Sequence, residues 1–162
     1  MNKDSMALAD LNTHHIEGFA VHGNTPFDVP LYSHVAGNLW VGGCPVRVAP
    51  VEFQFIVCLY PWAPYKRHDH QTYLEARLYD SSQMPDERAL YALANYVSAV
   101  AKIGMTLVHC QAGLNRSALV AGLSLIGGGM KPKDAIDLLR EKRSVAVLCN
   151  KAFARWLEEQ AA

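Results

Sequence analysis

Residues 105–129 decide the fold of this chain: Met105-Thr106-Leu107-Val108, then His109-Cys110-Gln111-Ala112-Gly113-Leu114-Asn115-Arg116-Ser117, then an apolar run to Ile126 and the triplet Gly127-Gly128-Gly129. The first four residues predict a short buried strand. Ser117 to Ile126 mixes Ala, Leu, Val and Gly in a helix-compatible pattern that the glycines stop. A loop that leaves a strand and enters a helix turns backbone N–H groups toward the helix N-terminus, where the macrodipole favours anions. Such a loop is a phosphate cradle. A cysteine at its base gains from the same field, and environments of this kind lower a thiol pKa to about 3.5–7.5, so Cys110 is expected to be an ionised nucleophile. Arg116 falls in the first helical turn, where its planar guanidinium suits bidentate binding of two phosphate oxygens. Gly113, mid-loop, allows close backbone approach and a positive φ.

Working outward, Leu39–Val41 and Phe53–Leu59 read as strands, and Tyr60–His70 as a loop rich in Pro, Trp and Tyr. The alternation of Leu74, Ala76 and Leu78 with Glu75, Arg77 and Tyr79 predicts a half-buried strand. Pro85 is expected to open a helix whose Leu90, Leu93, Val97 and Val100 share one face, with Gly104 as its stop. Pro132 starts another helix carrying Ile136, Leu138 and Leu139, and Phe153, Trp156 and Leu157 anchor a last one. The sum is an α/β fold in three layers: a small mixed central sheet flanked by helices, with the phosphate-binding loop between a central strand and a helix. Residues 1–30, with His14, His15, His22, Pro26 and Pro30, are expected to form an extension that wraps the domain or is partly disordered. A single domain spans 31–162.

A chain of 162 residues that is 51% hydrophobic can bury a respectable core. The apolar stretch Ala118–Met130 is too short and Gly-rich to span a bilayer, and Met1–Ser5 opens no signal-peptide core, so a protein of the cytoplasm without membrane insertion is expected. Four cysteines at irregular spacing suggest no disulfide framework. Zero formal net charge removes any global argument for nucleic acid.

The nonapeptide His109–Ser117 resembles the signature of the cysteine-based protein tyrosine phosphatases, and specifically of their compact dual-specificity branch. It carries His before Cys, Gly three residues after it, Arg six after it and Ser next. Ser33–Gly43, with Asn38-Leu39-Trp40-Val41-Gly42-Gly43, is similar to that family's opening strand. Asn150–Trp156 is similar to the Asn-x-x-Phe segment of its last helix. The resemblance implies a phosphomonoester hydrolase acting on phosphotyrosine, and also on phosphoserine or phosphothreonine, in a phosphorylated protein or peptide. It implies no cofactor and no metal, because Arg116 and the loop amides supply the electrostatics a cation would otherwise provide. A monomer is expected.

Cleavage by Cys110 needs a proton donor for the leaving oxygen. Asp80 and Asp86 are the candidates. Asp80, 30 residues before Cys110, stands where the dual-specificity enzymes place their general acid and is favoured. Asp86 follows Pro85 at a helix start, where a carboxylate commonly satisfies the dipole; a turn formed with Ser81 and Ser82 is the bland reading of Asp80. The loop residues Gln111, Ala112, Gly113, Leu114, Asn115 and Arg116 are expected to hold the equatorial oxygens, with Ser117 bonding the sulfur. The resemblance makes His109 a support that bonds nearby backbone, and gives Asn150 the task of orienting loop or water; a helix cap is its alternative. Cys58 reads first as a small buried hydrophobe. Relatives with a second cysteine on this strand imply a reversible disulfide with Cys110. Cys44 and Cys149 carry no comparable argument. His68-Asp69-His70 resembles a metal cluster only superficially and is expected to be solvated. Trp62, Tyr65, Lys66 and Arg67 would border the mouth of the site, and the basic residues 131, 133, 140, 142 and 143 are expected to be ordinary helix-surface charges.

Other substrates remain open. Gly113-Leu114-Asn115-Arg116 is similar to relatives that remove the γ-phosphate of a 5′-triphosphate RNA, although those tend not to need an acid like Asp80, so nucleic acid is not expected beyond an RNA 5′ end. Phosphoinositide phosphatases usually carry Lys in the loop, which is uncharged here between Cys110 and Arg116. A non-catalytic phosphopeptide-binding module would keep Arg116 but usually lose the Cys or the acid.

Overall fold

The computed structural model describes residues 20–22, 25–27 and 29–161. In chain order the described elements are β1 (Ala20–His22), β2 (Thr25–Phe27), β3 (Tyr32–Ala36), β4 (Leu39–Gly42), β5 (Phe55–Cys58), β6 (Thr72–Glu75), α1 (Glu87–Ala101), β7 (Thr106–His109), α2 (Arg116–Gly127), α3 (Pro132–Lys142) and α4 (Lys151–Glu158). β1 and β2 pair as a short antiparallel ribbon. The other five form one sheet in the order β3-β4-β7-β5-β6, antiparallel at β3–β4 and parallel elsewhere. The fold is α/β with a mixed sheet, as expected, and the reactive loop leaves the carboxyl end of its central strand.

Period-two alternation sends successive residues of each strand to opposite faces. Val41, Val57 and Val108 join a core with helical residues such as Leu90, Val97, Leu119, Ile136 and Phe153. Trp40, Ile56 and Leu107 face the other way, onto Leu31, Tyr32, Ala49 and Phe53. No described helical residue belongs to that second core. The third expected layer is therefore made of loop segments and aromatic rings, with Phe53 edge-on to Tyr32 and Trp40 at 5.8 Å each. β7 is buried along its whole length, as a parallel strand with both faces covered must be.

α2 is buried nearly all round and acts as the central post of the helical layer. It passes close to α4 at Gly122, where an added Cβ would stand 3.1 Å from Leu157 Cδ1. α1 buries Leu90, Leu93, Ala94, Val97 and Val100, and the Gly104 amide closes its end on the Val100 carbonyl. Pro85 precedes the N-cap instead of opening the helix, because Asp86 takes the cap and accepts from the Ala89 amide at 3.0 Å.

The strand expected through Tyr79 stops at Glu75. Its last ladder bond runs from the Ala76 amide to the Cys58 carbonyl, where β5 itself ends. Beyond it Leu78 is still buried and Arg77 and Tyr79 exposed; the alternation reports which side is covered, not which backbone is paired. Most of the expected N-terminal extension lies outside the described residues, and packing reaches back to Val29, which is buried.

Candidate active site

The loop between β7 and α2 is shaped from outside. The Gln111 carbonyl accepts from the Cys44 amide at 3.0 Å and the Leu114 carbonyl from the Leu148 amide at 2.8 Å. Between them, Ala112 and Gly113 carbonyls accept from the Arg143 guanidinium at 3.0 and 2.6 Å. In a planar trans peptide the N–H points opposite to the C=O, so four outward carbonyls turn the amides of Ala112, Gly113, Leu114 and Asn115 inward. The Gly113 amide does reach Cys110 Sγ, at 3.3 Å. Gly113 has φ +70°, and a Cβ there would meet the Gly42 carbonyl carbon at 2.4 Å. No other residue fits that turn.

Cys110 is buried beneath these amides. Burial would push its thiol up, but the Arg116 guanidinium, the Ser117 hydroxyl at 3.4 Å and the amides of Ser117 and Gly113 outweigh it, holding the pKa below the ordinary thiol value. Arg116 is also buried, donates Nη1 to the Leu78 carbonyl at 3.2 Å and lies 5.0 Å from the Tyr60 ring centre. Its Nε finds no acceptor among the described residues. A buried guanidinium with a spare donor is an anion site in waiting.

His109 points away from the cradle. Its Nδ1 lies 3.1 Å from the Cys110 carbonyl and its Nε2 2.7 Å from the Tyr65 hydroxyl. A carbonyl only accepts, so Nδ1 carries the proton and Nε2 accepts from Tyr65. Burial drives the imidazole pKa down to about 4 against the raising effect of the Cys110 carbonyl, which keeps the ring neutral.

Asp80 faces Cys110 across a cleft of about 550 Å³ whose walls include Tyr60, Trp62, Tyr79, Ser81, Asn115 and Arg116. Its Oδ2 accepts from Asn115 Nδ2 at 2.9 Å and its Oδ1 from Asn150 Nδ2 at 2.7 Å. Asn150 also caps α4 through Oδ1, so one side chain makes both the cap and the contact with Asp80. Asp86, by contrast, is occupied as the α1 cap and does not line the cleft. Cys58 is buried on β5 in register with His109, one residue from Cys110, and burial raises its pKa. Cys44, on the other side, is pushed up to about 12, chiefly by burial, with further raising from Cys58 and Cys110.

The structure corrects several expectations. Arg143 is no surface charge: it is buried and bonds Pro30, Leu31, Ala112 and Gly113 carbonyls and the Ser33 hydroxyl. A sequence signal for it existed, because Arg143, the residue that ends α3, lies seven residues after Ile136 and four after Leu139, in phase with the buried face of that helix. Of the residues expected at the mouth only Trp62 lines the cleft. Tyr65 packs beneath β7 on His109, and Arg67 lies over the Tyr73 ring at 3.7 Å. Tyr60 and Tyr79 take the places at the rim. Asp69 and His70 are exposed as expected and His68 is half-buried, with His68 bonding the carbonyl of Ala49 and His70 that of Val51. Cys149, exposed, touches the Asn115 amide at 3.4 Å. No helix among the described residues is long and apolar enough to cross a membrane.

The chain matches the family described as "Dual specificity phosphatase, catalytic domain" over residues 47–161. Human protein tyrosine phosphatase type IVA 3 is 50% identical over 40 residues, a stretch that spans 25% of this chain and only 23% of that protein. Among solved structures, human DUSP28 superposes with a TM-score of 0.68 at 20% identity, covering 78% of this chain and 95% of that one. A mouse dual specificity phosphatase complexed with zinc tungstate gives 0.66 at 20% identity, covering 88% and 93%. Those structural likenesses speak to the fold, whereas the family match embraces the loop that carries Asp80, the Cys110 loop and the last helix together; the chain belongs to the dual-specificity phosphatase catalytic-domain family.

Proposed function

We propose that this protein is a cysteine-dependent phosphomonoester hydrolase acting on phosphotyrosine, and also on phosphoserine and phosphothreonine, in phosphorylated proteins or peptides. One observation carries the reading: the Cys110 thiol, held below its ordinary pKa, lies under inward amides and beside a buried guanidinium whose Nε finds no acceptor among the described residues. A tetrahedral oxyanion matches that donor set, and a similar fold was solved with zinc tungstate. The Trp62 ring centre lies 5.1 Å from that of Tyr60 and 5.4 Å from that of Tyr79, a row of rings that suits an aromatic ester. Among the described residues that line the cleft, Arg116 is the sole cation, which disfavours a triphosphate RNA end or a polyphosphoinositide.

The reaction runs in two steps. The Cys110 thiolate forms an S–P bond as the P–O ester bond breaks, and Asp80 gives its proton to the departing oxygen. Water then forms a new O–P bond while the S–P bond breaks, its proton passes to Asp80, and the thiolate returns, eased by the Ser117 hydroxyl. Arg116 and the preorganised amides hold the equatorial oxygens in both steps. His109 and Asn150 support the cradle and the acid. Cys58 is the partner for a disulfide that shields Cys110 from peroxide, two thiols being oxidised as peroxide is reduced to water.

The test is turnover of an aryl phosphate without divalent metal. Cys110→Ser should abolish it, and Asp80→Ala should depress it by about 10²-fold or more; turnover by Cys110→Ser would end the proposal, and undiminished Asp80→Ala would remove Asp80 from it.

A further inference from the structure

Asn115 is the N-cap residue of α2, yet its side chain makes no cap bond. An asparagine in that position ordinarily turns its oxygen onto the amides of its own helix. Here the side chain is 1% exposed and wholly engaged elsewhere. Its Oδ1 accepts from the Asn150 amide at 2.9 Å. That bond fixes the orientation of the carboxamide, so Nδ2 can only donate, and it donates to Asp80 Oδ2 at 2.9 Å.

Asn150 is oriented by the same logic. Its Oδ1 accepts from the Ala152 and Phe153 amides, which leaves Nδ2 to donate to Asp80 Oδ1 and to the Ser81 carbonyl at 2.8 Å. Asp80 is therefore gripped at both oxygens by amides whose direction is set by the start of α4. One grip comes from the loop that also carries Cys110.

We propose that Asn115 is a positioning residue: its amide fixes the Asp80 carboxyl over the leaving-group side of the cleft. The proposal rests on the hydrolase reading and adds a residue to it. Asn115 thereby ties the acid loop to the cradle, so that proton donor and nucleophile keep one relative geometry.

Leaving-group dependence separates this role from a merely structural one, because a misplaced acid matters most where the departing oxygen is poorly stabilised. In Asn115→Ala, kcat/KM for phenyl phosphate should fall about 10²-fold, the scale of general-acid assistance, and for para-nitrophenyl phosphate by under about tenfold. Inhibition by inorganic phosphate should change less than about threefold, since the cradle amides are untouched. Adding Asn115→Ala to Asp80→Asn should cost little more than Asp80→Asn by itself, as expected of residues acting as a unit. Asn115→Asp keeps the size and the Oδ1 acceptor but sets a carboxylate against Asp80, and it should show the same skewed ratio should the alanine variant fail to fold. Equal losses on both esters, or full additivity with Asp80→Asn, would overturn the proposal while the hydrolase reading stood. A wild-type protein inactive on both esters would overturn the reading and the proposal together.

Discussion

Replacing Arg143 by methionine would loosen the reactive loop from behind. Methionine keeps an unbranched stem of similar reach and deletes every donor. The Ala112 and Gly113 carbonyls, both in buried residues, lose the guanidinium that holds them outward. The Leu31 carbonyl keeps the Gly43 amide, and that of half-buried Pro30 can turn to water. Two orphaned carbonyls at about 1–3 kcal/mol each give ~2–6 kcal/mol. The guanidinium's own desolvation cost disappears with it, which places the net effect near the low end, about 2–3 kcal/mol. For a domain of this size each kcal/mol lowers Tm by about 2–4 °C, so a fall of roughly 5–10 °C is expected. Thermal unfolding followed by circular dichroism, with and without inorganic phosphate, measures both consequences. The stabilisation by phosphate should shrink as well, because a carbonyl released from Arg143 lets its peptide rotate and takes an inward amide with it. Arg143→Lys retains a charge but not the fork, and should fall between. An Arg143→Met protein that melts within about 1 °C of wild type and is stabilised equally by phosphate would refute the reasoning.

Further outcomes follow from the same geometry. Because the Cys110 pKa is depressed, its thiolate persists at pH values below the ordinary thiol range and is lost only as pH falls through the depressed value. Alkylation by iodoacetamide near pH 7 should therefore be fast at Cys110 and slow at Cys44 and Cys58, whose pKa values are raised. Arg116→Met, read by the pH dependence of alkylation, should move the Cys110 midpoint upward. Gly113→Ala should lose phosphate binding measured by calorimetry, since its Cβ would strike Gly42 backbone atoms that cannot swing aside. Asp86→Ala should cost about 1 kcal/mol in denaturant unfolding through loss of the α1 cap while leaving kcat nearly unchanged; a large fall in kcat would give Asp86 a part in the chemistry.

The cradle was legible because strand, loop and helix each announce themselves within some twenty residues, and Cys110 and Arg116 could be placed from that local order. Asp80 needed the family's spacing. Its tethers were not legible, since nothing in a linear pattern says that Asn115, expected to act through its backbone amide, spends its side chain on Asp80. Arg143 departs from the expected surface charge for a different reason: a lone charge argues for solvent, whereas the helical phase set by Ile136 and Leu139 points this one inward. The Leu74–Tyr79 alternation located the covered side correctly and overstated the ladder, because a strand ends where its neighbour does. Tyr65 and Arg67 were expected at the mouth but belong to the aromatic layer under the sheet, a layer that sequence periodicity, which reports helices and strands, does not describe.

The central position of β7 has a consequence for any shortened form of the chain. The matched family segment begins at residue 47, whereas β3 and β4, which cover one side of β7, lie before it. A fragment starting at Arg47 would turn the buried run Thr106-Leu107-Val108-His109 into an open edge, with bare N–H and C=O groups free to recruit other copies. It would also strip Arg143 of Pro30, Leu31 and Ser33. Such a fragment would leave that edge open to self-association, whereas in the longer chain the packing that flanks β7 reaches back to Val29.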